Sequence, residues 1–443
     1  MSLQSNIQLS TQRCWTSYKT SCGLIIILLT LASTTFANER VLTLSQAIEQ
    51  VLEHHPELSL FRWRHQALEG TLQQAELKPG YELELALEDM AGSGDFSDLQ
   101  RAEATIALSS IIELGKKRDK RLDLVTSERT QLEFEQQIVV LELLREVTSR
   151  YIDLMATQAS LTLSEEASSL AKNIHRVAKR RADAGATPEA EVKRTQAAAG
   201  QARLKAAAAN SQFEYQKIAL AALWGDPHAH FSAVENKLFE FGEQLSLSDL
   251  FNKLNDSPLI QIYGAYASKK NAELYLAQSQ GKVDLEWGLG IKQFEASNDF
   301  ALTAGVSVPL YLASRGEGKV NSLRAEQEQN LSRKQMALLH YRMQLLQALT
   351  QRQQAIVTVN TLREEIIPAL TLALSDTQRG YQRGRYTYHE YVAVQHELLE
   401  ARQDLIRAAA SALHQNVLID QLTTQPIDIA RYQMTEDATG SRP

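Results

Sequence analysis

From Lys116 to Asp183 the chain contains neither glycine nor proline, and no other feature restricts the possible fold as severely. Apolar residues recur in that segment at intervals of three and four, as Val140, Leu143, Leu144, Val147, Tyr151, Leu154 and Met155. That period gathers them on one face of an α-helix. At ~1.5 Å per residue the helix is on the order of 100 Å long. Standing alone it would expose an apolar stripe from end to end, so it must lie in a coiled-coil-like array. Gly185 and Pro188 then interrupt "KRRADAGATPEAEVKRTQ" (179–196) and force a reversal. The following helix, 189–223, is half as long, and an earlier helix at 57–78 has the length to stack on its end.

The plan is used twice. "LTLSQAI" (42–48) returns as "LSLSDLF" (245–251), and "AELKPGYELELALE" (75–88) as "AQSQGKVDLEWGLG" (277–290). "AGATPEAEVKRTQ" (184–196) aligns with "RGRYTYHEYVAVQ" (383–395), and Glu165-Glu166 with Glu364-Glu365. Strands, helices and breaks keep nearly one offset, which marks a duplication. The first repeat covers 38–243, with a β-hairpin at 81–112 and a long helical hairpin at 116–223. The second covers 244–424, with a β-hairpin at 282–310 and a long helical hairpin at 319–422, in which Pro368 predicts a local kink. Thr43 or Ser45, and Ser246 or Ser248, are candidate caps for the short helix that opens each repeat.

Each β-hairpin alternates with period two. Leu83, Leu85 and Leu87 alternate with Glu82, Glu84 and Glu88; Leu285, Trp287, Leu289 and Ile291 alternate with Glu286, Gly288, Gly290 and Lys292. Their partners, 102–112 and 300–310, follow turn-rich connections. Strands of about ten residues can cross a bilayer when tilted. Four strands cannot close a membrane barrel, and open edges in lipid are prohibitive, so a membrane reading requires several chains; a trimer supplies twelve strands. A small soluble sheet satisfies the same alternation. Tyr81, Trp287 and Phe300 suit either a membrane-interface girdle or ordinary sheet packing.

Residues 1–37 read as a signal peptide. Arg13 and Lys19 precede the apolar "GLIIILLTLA" (23–32), and Thr35-Phe36-Ala37 fits a cleavage site. Cys14 and Cys22, the chain's two cysteines, fall inside it, which leaves the mature chain without a disulfide or thiolate site. Residues 425–443 read as a flexible tail. The net charge of -7 and the lack of a basic stripe with interleaved aromatics argue against nucleic acid as a partner. No catalytic constellation, phosphate loop or cofactor motif stands out. His54-His55 and "HAH" (228–230) read as surface loops, so no metal site is assigned.

With these elements in place the chain resembles the TolC-like outer-membrane efflux factors. The resemblance is carried by "LTLSQAIEQVLEHHPEL" (42–58), "VTSRYIDLMATQASLTLSEEA" (147–167), "RRADAGATPEAEVKRTQ" (180–196) and "VSVPLYLASRGEGKV" (306–320). "LAALWGDP" (220–227) together with "VPLYLASRGEG" is most similar to the cobalt-zinc-cadmium (CzcC-type) cation-efflux branch. The resemblance implies a mainly α fold with membrane β: a duplicated long-helix, coiled-coil α-barrel, plus four strands per chain in a shared twelve-stranded transmembrane barrel of a homotrimer. It implies contact with outer-membrane lipid, a helical tube in the periplasm, a periplasmic adaptor (membrane fusion protein) and an inner-membrane RND-type transporter. The function it implies is passive exit of cargo, divalent heavy-metal cations in the CzcC-type branch.

The resemblance also assigns the tips. Gly185, Ala186 and Thr187 match the turn that adaptors grip; Gly384 and Arg385 occupy the second tip and match it less well. The gate falls to Glu191, Glu390 and Tyr381, with Ala393 where relatives carry a second acid and Tyr386 where they carry an arginine. Three copies of Glu390 around a narrow axis would attract cations and repel anions; a carboxylate on a solvated helix face is the plainer alternative. Two other functions fit parts of the pattern: a TolC-like duct for drug or type I protein export, and a periplasmic coiled-coil adaptor or scaffold. The second normally shows one helical hairpin flanked by β-domains, not two hairpins at equal spacing.

Overall fold

Each repeat begins with a capped helix followed by a proline that starts another. The computed structural model describes residues 41–310 and 312–424; the expected signal peptide (1–37) and tail (425–443) lie outside the described residues. In the first repeat a short strand β1 (Val41–Leu42) leads into α1 (Leu44–His54) and α2 (Pro56–Glu76). Thr43 is the cap: its hydroxyl accepts from the Gln46 N–H at 3.3 Å, and the Gln46 side chain accepts from the Thr43 N–H at 3.1 Å, a reciprocal pair that satisfies two end donors. In the second repeat α5 (Leu247–Asp256) follows Ser246, whose hydroxyl pairs with that of Ser248 at 2.9 Å instead of capping the backbone. Pro258 then opens α6 (Pro258–Gln280), as Pro56 opens α2; each fills a position whose N–H has no helical partner.

The helical hairpins are α3 (Lys117–Asp183) with α4 (Glu189–Ala221), and α7 (Leu312–Thr361) continued by α8 (Ile367–Gln382) with α9 (Tyr388–Thr423). At 67 residues α3 is about 100 Å long. Between α7 and α8 the chain widens into a π-turn, Leu362–Ile366. The expected effect of Pro368 is therefore taken up a turn earlier. A proline in a helix offers no N–H and crowds the carbonyl four residues back, and a wide turn relieves both. The matching segment of the first repeat, 163–167, lies within unbroken α3.

Packing partners give the helices an order: α2 and α4 lie against α3, α3 against α6 and α9, and those two against α7. The largest core cluster sits midway along α3, where Val147, Tyr151 and Leu154 meet Leu220, Leu238, Ile406 and Ala409. The connection between the repeats is strapped over this level. Its strand β4 (Ala233–Val234) pairs parallel with β1. The buried Arg352 donates to the carbonyls of Phe241 and Glu243 at 2.6 and 2.9 Å. The Tyr151 hydroxyl is within hydrogen-bond distance of the carbonyls of Leu42 (2.9 Å) and Glu235 (3.2 Å). Burial pushes that phenol's pKa up to about 12.

The strands β2 (Tyr81–Glu88), β3 (Glu103–Ile112), β5 (Leu285–Phe294) and β6 (Asp299–Ser307) form one antiparallel sheet in the order β2-β3-β5-β6. The β3–β5 pairing therefore joins the two repeats. Register aligns Leu83, Leu108, Leu289 and Ala304 across the sheet, and next to them Leu85, Ile106, Ile291 and Leu302. Because side chains alternate, these share one face, and Leu85 and Leu302 are 71% and 86% exposed on it. The other face carries Glu82, Glu84, Glu88, Glu103, Glu286 and Lys292, with Gly288, Gly290 and Gly305 between them. Gly290 is required there: a Cβ would lie 2.8 Å from the Ile106 carbonyl oxygen and from the Thr303 hydroxyl.

Sheet and helices end at the same two flanks. β2 follows α2 on one flank, and β6 leads into α7 on the other, and each of these strands has one neighbour among the described residues. On α7, Met336, Leu339, Met343 and Leu346 are exposed at intervals of three and four. On the opposite flank Leu60 and Trp63 of α2, and Leu204, Tyr215 and Ile218 of α4, are also exposed.

Candidate gate and docking tips

Both hairpins reverse by one backbone device. At the first tip the Gly185 N–H donates to the Ala182 carbonyl (2.9 Å) and the Ala186 N–H to that of Arg181 (2.8 Å). At the second, the Gly384 N–H donates to the Tyr381 carbonyl (3.0 Å) and the Arg385 N–H to that of Gly380 (2.8 Å). Gly185 and Gly384 have φ of 72° and 76°, the left-handed conformation this Schellman termination needs and side chains resist. The tips differ in how the next helix starts. Pro188 occupies the position before α4, not its first turn, whereas Thr387 caps α9 with its side chain.

That cap occupies Glu390. Its carboxylate accepts from the Thr387 N–H (2.7 Å) and hydroxyl (2.8 Å), and the Glu390 N–H donates back to Thr387 Oγ1 (3.3 Å). The Thr387 N–H, then its hydroxyl, lower the pKa of this exposed carboxyl below the usual carboxylate value. Within the chain Glu390 therefore serves its own helix terminus, as a T-x-x-E pattern does.

Tyr381 and Glu191 do meet. Tyr381 is 4% exposed, and its hydroxyl donates to the Glu191 carboxylate across the two hairpins. Its ring stacks on Tyr391, with centroids 5.6 Å apart and planes at 11°, and tilts against Tyr388 at 6.3 Å. Ile174, Leu170, Leu374 and Val392 complete this small core. Burial, followed by the hydrogen bond to Glu191, raises the phenol pKa well above its ordinary value, so the hydroxyl remains a donor. Burial likewise raises Tyr388 and Tyr391.

Arg181, outside the residues that the resemblance assigns to the gate, completes the arrangement. Its guanidinium donates to the Tyr381 carbonyl at 2.6 Å and lies 4.7 Å over the Tyr381 ring. Arg194 stands similarly over Tyr388 at 5.7 Å. Cation and carboxylate from the first hairpin thus hold opposite ends of one tyrosine from the second. Tyr386 lies apart from this network and is half-exposed, with its ring over Gly380; a Cβ on Gly380 would fall 2.0 Å from it. Ala186 and Arg385 are exposed and Thr187 is half-buried, so the turn residues are open to a partner. Among the described residues no group of three or more His, Cys, Asp or Glu is placed to hold a metal ion, and no helix is long and apolar enough to cross a membrane.

Comparison with known proteins gives a consistent setting. The family described as "Outer membrane efflux protein" matches residues 47–226. The cobalt-zinc-cadmium resistance protein CzcC of Cupriavidus metallidurans is 23% identical over 361 residues, covering 82% of this chain and 85% of that protein. The fold is similar to that of CusC, a structure described for transmembrane channel formation, with a TM-score of 0.73 at 14% identity over 86% of this chain and 92% of that one. It is also similar to the outer membrane protein VceC of Vibrio cholerae, with a TM-score of 0.68 at 19% identity, covering 87% and 97%.

Proposed function

We propose that this chain, a relative of the outer membrane efflux proteins, is the outer-membrane exit duct of a tripartite pump and conducts divalent heavy-metal cations. The observation that carries the cation reading is the charge on the polar face of the sheet. Glu82, Glu84, Glu88, Glu103 and Glu286 share that face with Lys292, which Glu88 (2.7 Å) and Glu103 already engage. If the apolar face meets lipid, the carboxylates line the lumen. There they concentrate cations and exclude anions.

The duct is assembled from three chains. A single sheet of four strands with two open edges cannot persist in lipid. Joining the β6 flank of one chain to the β2 flank of the next pairs those edges, and sets the α7 stripe against the exposed residues of α2 and α4. Such a head-to-tail contact either closes into a ring or propagates, and twelve strands make a closed ring of ordinary size. The tips then converge at the periplasmic end of the tube. Gly185, Ala186, Thr187, Gly384 and Arg385 meet the periplasmic adaptor, which couples the duct to an RND-type transporter in the inner membrane. The gate is the tie between Tyr381 and Glu191; Glu390 contributes exposed charge near the axis, and Tyr386 shapes the second tip.

A strain lacking this chain tests the cargo. It should become sensitive to Zn, Co, Cd or Ni while tolerance of dyes and detergents is unchanged. Equal sensitisation to both would make the chain a drug-export duct instead. The lumen charge is tested in planar bilayers: Glu82→Gln combined with Glu84→Gln should lower the cation-to-anion permeability ratio by about tenfold, the low end of what charged clefts achieve. A reversal potential identical to wild type would remove these carboxylates from the conduction path.

A further inference from the structure

Where the sheet meets the helices, cations on the two sides are treated differently. On the β3–α3 side, Lys116 apart, they are committed. Lys117 is buried against Asp284 at 2.7 Å, Lys120 pairs with Asp123 at 2.7 Å, and Arg121 pairs with Glu113 and also reaches the Leu77 carbonyl at 3.1 Å. On the α6–α7 side Lys270 is paired too, with Glu273 and Glu326 at 2.8 Å, and the uncommitted cations include Lys282 and Arg324. A pocket of about 500 Å³ opens there between the end of α6 and the first turns of α7, lined by Gln278, Lys282, Glu317, Asn321 and Arg324 among others. Lys282 and Arg324 are exposed, and neither has a carboxylate partner among the described residues.

Gly281 and Gly316 meet where the two helices approach: a Cβ on Gly316 would stand 4.0 Å from the Gly281 Cα, in ordinary van der Waals contact. The stem of Lys282 lies on Gly115, where a Cβ would fall 2.5 Å from Lys282 Cδ, and Gly115 has a φ of 78° that a side chain resists. Its ammonium group is thus carried on a packed stem. Glu317 is the carboxylate in the lining, so two cations, one anion and the two side-chain amides of Gln278 and Asn321 leave a net positive, donor-rich cup.

Its level in the fold identifies the ligand. Val283, next in sequence to Lys282, and Val308 and Leu310, on the segment that leads into α7, are exposed apolar side chains, and Leu310 is 73% exposed. They lie just past the ends of β5 and β6 at which Tyr81 and Trp287 sit edge-on, with rings 6.4 Å apart. A positive cup beside an apolar belt matches an amphiphile whose chains lie on the belt and whose anionic group enters the cup.

We propose that this pocket binds the phosphate headgroup of an anionic phospholipid in the adjoining leaflet. The inference rests on the membrane placement of the sheet. The test uses the purified trimer and native mass spectrometry with phosphatidylglycerol, phosphatidylcholine or inorganic phosphate added. Wild type should retain phosphatidylglycerol. Lys282→Gln with Arg324→Gln should retain it about twenty- to thirtyfold less well, near fivefold for each cation lost. Lys282→Arg with Arg324→Lys should restore it, because charge is kept. Retention by the double glutamine variant at wild-type level would overturn the inference, as would equal retention of phosphatidylcholine or protection by phosphate alone. Channel formation in planar bilayers is measured on the same preparations. Channels without lipid discrimination reject the headgroup pocket alone, whereas absence of channels in wild type rejects the membrane reading beneath it.

Discussion

Leu289→Arg should abolish the assembled channel, while Glu84→Arg, nearly level with it on the other face, should leave assembly intact. Leu289 is 58% exposed at the middle of β5, opposite Leu108 and Ala304. An arginine on the lipid face of a membrane strand costs about 2–4 kcal/mol at the midplane. Three copies in one trimer bring that to on the order of ten, comparable to the whole stability of an ordinary domain. Glu84 pairs in register with Ala107, which in turn faces Gly290, so an arginine there points to the bare side and stays in water. Heat-modifiable trimer in outer-membrane extracts is the measurement. Equal yields from both variants would mean that the apolar face does not meet lipid.

The second large effect belongs to the tips. Tyr381→Phe should open the closed channel, seen as a raised open probability or conductance in planar bilayers at neutral pH. The change strands a half-buried Glu191 carboxylate without its donor, at a cost of about 1–3 kcal/mol per chain. That corresponds to roughly 5- to 150-fold in the closed-to-open ratio if one tie governs it. Arg181→Ala should act in the same direction, since its guanidinium holds the same tyrosine by carbonyl and ring. The two losses should not add, because both variants release one side chain. Unaltered conductance in Tyr381→Phe would dismiss the tie as a gate. The phenol's raised pKa sets the pH sign. The stabilising proton is fully held below the ordinary tyrosine value of about 10 and is lost only as pH rises through the higher folded one. Closure should therefore persist across the whole neutral range and weaken only in strong alkali.

Much of this architecture is legible in the residues, for physical reasons that also mark where legibility ends. Spacing of three and four without glycine or proline announces α3, because such a stripe has no other stable use. Strict alternation announces β2 and β5, and it separates Leu83, Leu85 and Leu87 from the glutamates between them. Pairing across repeats is different. Nothing local specifies that β3 takes β5 as its second neighbour, since that choice is made by the packed helices. The π-turn is half-legible: Pro368 signals a disturbance, but where the helix absorbs it depends on neighbours. At the tips, Tyr381 and Glu191 are legible through the family resemblance. Arg181 is not, because it acts on a backbone carbonyl 200 positions away and carbonyls leave no trace in sequence. Glu390 teaches the reverse. Thr387 three residues ahead of it spells a capping box, and the local signal explains its carboxylate more directly than the gate does.

One consequence of the duplication concerns stiffness. Asp284, leading into the second repeat's sheet, accepts from the Leu114 N–H at 3.0 Å and from the Lys117 ammonium at 2.7 Å, both in the first. The repeats are thus bolted together at the base of the sheet, and a twist applied at the tips cannot be relieved there. It must be stored along the helices. The first hairpin is an uninterrupted rod over α3, while the second contains a π-turn between α7 and α8, where hydrogen bonds skip to a longer spacing. Mechanically, the duplication has yielded a strut and a flexure mounted on one base, so a load shared equally between them bends one more than the other.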